Sequence, residues 1–129
     1  MSAEARELRE ENQSLWLLVA APVIWGAHLL ASYSTAAVWC ARYAAPDRSL
    51  APARTAIAVF TAVALAAIAA CARAAWRRYS WRGPGDAEEA DTAAGRYRFM
   101  GTAALLLSAL SAIATLFAAA AAYIMRSCE

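Results

Sequence analysis

Charged residues divide this chain into three long uncharged runs, and that pattern constrains the fold more than any local propensity does. The runs extend from Asn12 to Ala41, from Thr55 to Ala72 and from Phe99 to Met125. A helix needs roughly 20 apolar residues to cross a hydrocarbon core of about 30 Å, so each run is long enough to span, the first and third with residues to spare for tilt. Inside lipid every backbone N–H and C=O must be paired within the protein, and alanine-rich segments meet that demand best as helices. The alternation of a membrane β-barrel is absent: Ala62-Val63-Ala64-Leu65-Ala66-Ala67 offers no polar lumen face. The expected fold is therefore all-α, an integral membrane protein with three transmembrane helices.

Composition agrees. Of 129 residues, 62% are hydrophobic, 17% charged and 38 alanine. Soluble domains carry about 25% charged residues, and a core this small has no room for the excess apolar surface. All twelve basic residues are arginine, yet the net charge is only +2, which excludes a nucleic-acid binder. Three cysteines without a CxxC pair, and a single histidine, leave too few ligands for a zinc framework.

The reading along the chain is a polar leader at 1–13, a first span at 14–41, an outer loop at 42–53 and a second span at 54–76. A cytoplasmic loop at 77–97, a third span at 98–126 and an outer C-terminus at 127–129 complete it. The leader holds four glutamates and two arginines, unlike the basic leader of a signal peptide, so the first helix is expected to be retained. Ser2 is a candidate N-cap for a short surface helix there, with a frayed polar tail as the alternative. Eight arginines (Arg6, Arg9, Arg73, Arg77, Arg78, Arg82, Arg96 and Arg98) lie on one side and four (Arg42, Arg48, Arg54 and Arg126) on the other. The excess of positive charge assigns the N-terminus to the cytoplasm and the C-terminus to the periplasm. Trp16, Trp39, Tyr43, Trp76, Tyr79, Trp81, Tyr97 and Tyr123 sit near span ends, where amphipathic rings favour the interface. The segment from Gly83 to Asp91 reads as a solvated acidic linker.

Helical periodicity separates the faces. On the third helix Gly101, Ala104, Ser108, Ser111, Thr115, Ala118 and Ala122 share one side, opposite Leu106, Leu110, Ile113, Phe117 and Ile124. Small and hydroxyl residues mark the packed side, because membrane helices associate by close backbone approach and interhelical hydrogen bonds. The same rule assigns Thr55, Ala58, Ala62, Ala66 and Ala69 of the second helix to packing, with Ile57, Phe60 and Ile68 toward lipid. Arg73 continues the small face and is expected to snorkel to the interface.

On the first helix Trp25, His28, Ser32, Thr35 and Trp39 fall within about 80° at 100° per residue. His28 is near the middle of its span, and an ionisable group at that depth is a functional candidate by default. Its bland reading is a neutral imidazole hydrogen-bonded to Ser108, Ser111 or Thr115 as interhelical glue. Its sharper readings are haem ligation, for which a second copy would have to supply another His28, and contact with a quinone or lipid headgroup through His28, Trp25 and Tyr33. A proton relay would recruit a membrane carboxylate, and the spans contain none. Pro22 removes one backbone hydrogen bond and is expected to kink this helix. Cys40 and Cys128 emerge on the outer side, where a disulfide is permitted; spacing alone leaves paired and unpaired states open. Cys71 reads as a packing residue.

The pattern Pro22-x-x-Trp25-x-x-His28-x-x-x-x-Tyr33, ending at Trp39-Cys40, resembles the first helix of small uncharacterised three-helix inner-membrane proteins associated with bacterial cytochrome c oxidase gene clusters. The resemblance implies an accessory or assembly subunit of a terminal oxidase in the respiratory chain, without implying a cofactor on His28. The expected function is thus non-catalytic, with the lipid bilayer and other membrane subunits as partners and no nucleic acid. The alternatives are a small oligomeric transporter or pore lined by the hydroxyls of the third helix, and a haem- or quinone-binding protein using His28.

Overall fold

Long runs of alanine and leucine lose little side-chain entropy in a helix, and membrane depth leaves their backbone no other way to satisfy its polar groups. A computed structural model describes residues 2–43, 49–80, 93–124 and 128, and its elements are three helices: α1 (Ala3–Tyr43), α2 (Ala51–Ser80) and α3 (Ala93–Ile124). No strand occurs among the described residues. Each helix contains a segment long and apolar enough to cross a membrane: Leu15–Tyr43, Ala51–Arg77 and Arg98–Ile124. The linker from Gly83 to Asp91 lies outside the described residues.

The leader is the beginning of α1 rather than a separate segment, and the helix runs unbroken through Pro22. Glu4 in the first turn and Arg42 in the last oppose the partial charges of the helix ends. At the start of α2 the Ser49 hydroxyl accepts the Ala51 N–H at 3.1 Å. Pro52 falls in the first turn, where its missing donor breaks no helical bond.

The three helices pack against one another pairwise into one bundle, and its interior inverts the rule for soluble proteins. Its buried side chains are mostly small or polar: Ser108 is 1% exposed and Thr115 0%, with Ala21, Ala104, Ser32 and Ser111 also inside. The large apolar residues of α3, such as Leu106, Leu110 and Phe117, point outward. Only 17%, 17% and 28% of the most apolar windows of the three helices are buried within the chain. An apolar exterior of that extent needs an apolar solvent, and with the three spans it makes this a multi-pass membrane protein.

The faces of α2 correct the reading from sequence. Ala62 and Ala66, assigned there to helix packing, are exposed, as are Thr55 and Ala69. Ile57 and Ile68 are buried instead, together with Ala53, Ala64 and Ala75. The physical reason is complementarity. A small-residue face on α3 leaves space along the bundle axis, and the isoleucines of α2 occupy the inside of the bundle where two small faces together would leave voids.

One end of the bundle is fastened covalently. At the end where α1 finishes, Cys40 and Cys128 form a disulfide with Cα atoms 5.6 Å apart, joining residues separated by 88 positions. Nearby, Arg54 Nη2 donates to the Tyr123 carbonyl at 3.0 Å and the guanidinium lies 6.0 Å from the Tyr123 ring. The first turn of α2 is thereby tied to the last turn of α3, where unpaired carbonyls accept cations well. Exposed Trp16, Tyr43, Trp76 and Tyr123 lie toward the ends of the spans.

Candidate functional site

The mid-depth layer of the bundle is its chemically distinctive part. His28 is only 4% exposed, and it lies one residue from the midpoint of Leu15–Tyr43. Its Nε2 is 3.0 Å from Thr61 Oγ1 on α2 and 3.3 Å from Ser32 Oγ one turn along α1. The glue expected between α1 and α3 therefore joins α1 to α2. Ser108 and Thr115 do not serve His28: they donate to the Ala104 and Ser111 carbonyls of their own helix, at 2.7 and 2.8 Å. A hydroxyl in a membrane helix can always satisfy itself on the carbonyl four residues back, and these two do so.

The Thr61 hydroxyl also donates to its own helix, to the Ile57 carbonyl at 2.7 Å. With that proton engaged, we assign the hydrogen to the ring nitrogen, so that His28 Nε2–H donates to Thr61 Oγ1. The opposite tautomer would set two lone pairs against each other and bury an N–H at Nδ1. In the assigned tautomer Nδ1 carries only a lone pair, and it is buried without a partner among the described residues. A donor-acceptor chain thus runs from His28 through Thr61 to the Ile57 carbonyl.

Ser32, like Ser34 and the buried Ser111, makes no bond to the carbonyl four residues back among the described residues. Thr35, Thr55, Thr61, Thr102, Ser108 and Thr115 all donate to the carbonyl four residues back. Ser32, although buried, has His28 Nε2 as its one hydrogen-bond neighbour among the described residues. In the assigned tautomer Nε2 carries its hydrogen toward Thr61, so it does not accept the Ser32 hydroxyl proton.

The remaining residues singled out from sequence separate. Trp25, Thr35 and Trp39 are half-buried on the His28 side of α1, and Trp39 packs on Tyr43 with ring centroids 4.7 Å apart. Tyr33 is 74% exposed, five residues and about 140° around the helix from His28, so a single ligand contacting His28, Trp25 and Tyr33 together is not formed by this geometry. Haem ligation across a dimer meets a comparable obstacle: His28 is enclosed by its own three helices, with Nε2 already engaged. The described residues contain no group of three or more His, Cys, Asp or Glu able to hold a metal ion. Cys71 is free and half-buried.

Thr61 was missed by the sequence reading, although a signal was present. It is the only serine or threonine between Thr55 and Ser80, at the depth of His28 and in helical phase with Ile57, Ala64 and Ile68. Assigning the isoleucine face to lipid removed it from consideration.

A cavity of 490 Å³ lies between the three helices on the disulfide side of this layer. Ala53 and Ile57 of α2 form its buried floor, Ala36 and Ala122 contribute walls from α1 and α3, and Ser32 is at its inner end. The architecture is that of a disulfide-linked three-helix membrane bundle with one buried histidine. Comparison with family models, with curated proteins and with solved structures finds no match to this chain.

Proposed function

We propose that this protein is a non-catalytic, helix-packing subunit of a larger membrane assembly, carried in a bacterial inner membrane. One observation carries the reading: the small-residue stripe Thr55, Ala62, Ala66 and Ala69 of α2 faces outward. In lipid such a stripe gives little packing energy against mobile acyl chains but permits close approach of another helix, with the hydrogen-bonding and dispersion gains that drive membrane association. Exposed bulky residues on α3, by contrast, suit lipid contact.

The orientation that fits best places the N-terminus in the cytoplasm and the C-terminus in the periplasm. Eight of the twelve arginines then lie on the cytoplasmic side, and the disulfide lies in an oxidising compartment. A role beside a respiratory terminal oxidase rests on the resemblance of the first helix alone. An oligomeric pore draws no support from Ser108 and Thr115 of α3, whose hydroxyls are turned into the bundle and bonded to their own backbone.

The test is purification from mildly solubilised membranes, with all co-purifying subunits identified by mass spectrometry. The proposal expects a stoichiometric membrane partner that is lost in the Ala62→Leu, Ala66→Leu double variant. Oxidase subunits among the partners would support the respiratory reading; isolation of a monomer or homo-oligomer alone would remove the subunit hypothesis.

A further inference from the structure

The cavity and the uncommitted proton of Ser32 bear on each other. A volume of 490 Å³ lies within the range of roughly 300–1,000 Å³ typical of small-molecule sites. Leu29 and Tyr33, both exposed on the outside of α1, are among its lining residues, which gives it an edge toward lipid. Between Ser32 and Cys40, which bounds its outer end, the helix rises about 12 Å. The lining is mostly apolar, with Arg54 at its outer end. At the inner end, Ser32 presents a buried hydroxyl whose hydrogen-bond neighbour among the described residues is His28 Nε2, a donor in the tautomer assigned above.

A buried hydroxyl in a low-dielectric site selects an acceptor, because an unmade hydrogen bond costs about 1–3 kcal/mol there. Depth selects among acceptors. Ser32 is three residues beyond the midpoint of Leu15–Tyr43, or about 4.5 Å along the helix. It therefore lies some 10 Å inside the edge of a hydrocarbon core about 30 Å thick. Ester carbonyls of phospholipids reside at that edge and do not reach it. A carbonyl on a molecule that is itself soluble in the hydrocarbon interior does reach it.

We propose that the outer cavity binds a lipid-soluble carbonyl compound of the quinone class, with one ring carbonyl accepting the Ser32 hydroxyl proton and the apolar tail leaving past Leu29 and Tyr33. His28 is the positioning residue: it keeps its Nε2–H on Thr61 and so leaves the Ser32 proton available to the ligand. The inference is independent of the subunit role proposed above, since it needs only the single chain.

The experiment measures binding of a decyl-substituted benzoquinone and of decylbenzene, which has the same tail and no carbonyl, to the full chain in nanodiscs. The expected result is saturable quinone binding, at least tenfold tighter than decylbenzene. Ser32→Ala weakens the quinone roughly tenfold, the worth of one buried hydrogen bond, and leaves decylbenzene unchanged. Ala36→Trp fills the cavity and abolishes both. Should Ser32→Ala fail to give a folded protein by circular dichroism, Ser32→Cys replaces it, with a smaller loss expected from its weaker donor. Equal affinity for the two compounds, indicating a groove for any acyl chain, would overturn the proposal. So would an unchanged quinone affinity on loss of the hydroxyl, or the absence of saturable binding.

Discussion

The second and third helices carry the same kind of stripe and use it in opposite ways. On α3 the small face is inside, with Ser108 and Thr115 fully enclosed. On α2 the stripe through Ala62 and Ala66 looks outward, and the isoleucines go inside. A run of small residues in a membrane helix therefore does not by itself say that the stripe packs within its own chain; on the proposed reading, the outward stripe of α2 packs against a helix of another. The accompanying residues separate the cases. The α3 stripe contains hydroxyls set against a wall of leucine and phenylalanine, whereas the α2 stripe is alanine on a helix that is alanine nearly all round.

The largest effect that sharpens this contrast is expected from enlarging the enclosed face. Ser108→Leu adds two heavy atoms of side chain at a position only 1% exposed, and overpacking of this kind costs about 1–3 kcal/mol or more. Thermal unfolding in detergent should show a clearly lowered midpoint. An unchanged midpoint would mean that α3 does not pack through Ser108. Loss of the disulfide ranks next, at about 2 kcal/mol, the low end of the usual range because inserted helices already lack the freedom of an unfolded chain. A Cys40→Ser, Cys128→Ser variant should retain its helix content by circular dichroism while melting earlier, and equal melting would show that the outer end is held by other contacts.

A smaller effect concerns the bond between α1 and α2. A double-mutant cycle on His28→Ala and Thr61→Val should give a coupling of about 0.6–1.7 kcal/mol, the range for interhelical hydrogen bonds in membranes. The same cycle between His28→Ala and Ser108→Ala should give a coupling near zero, since Ser108 donates to its own helix. A larger coupling for the Ser108 pair would restore α3 as the partner of His28. The smallest effect is expected on the outward stripe, where Ala62→Leu should change the stability of the isolated chain by no more than about 0.5 kcal/mol.

Sequence revealed the spans because charge cannot enter lipid without cost, and three uncharged runs admit few other readings. The α3 face was equally legible, since Ser108, Ser111 and Thr115 recur at helical spacing opposite Leu106, Leu110 and Phe117. The α2 face was not. Alanine has nearly the same preference for lipid and for a helix interface, so the only contrast came from Ile57, Phe60 and Ile68, and the rule that sends bulk to lipid sent two of them the wrong way. That error propagated to the site: with Ile57 outward, Thr61 beside it was outward too, and His28 was matched to α3. The disulfide depends on where two helix ends meet, which is a property of the packed bundle rather than of spacing along the chain. The cavity at Ser32 was invisible for the same reason.

The central claim is that the α3 stripe closes this bundle while the α2 stripe closes a contact with another chain. A photoreactive side chain introduced at Ala66, and separately at Leu110 on the lipid-facing side of α3, tests it in intact membranes. The account predicts a protein adduct of one defined mass from Ala66 and only lipid adducts from Leu110. Lipid adducts alone from both positions would contradict it.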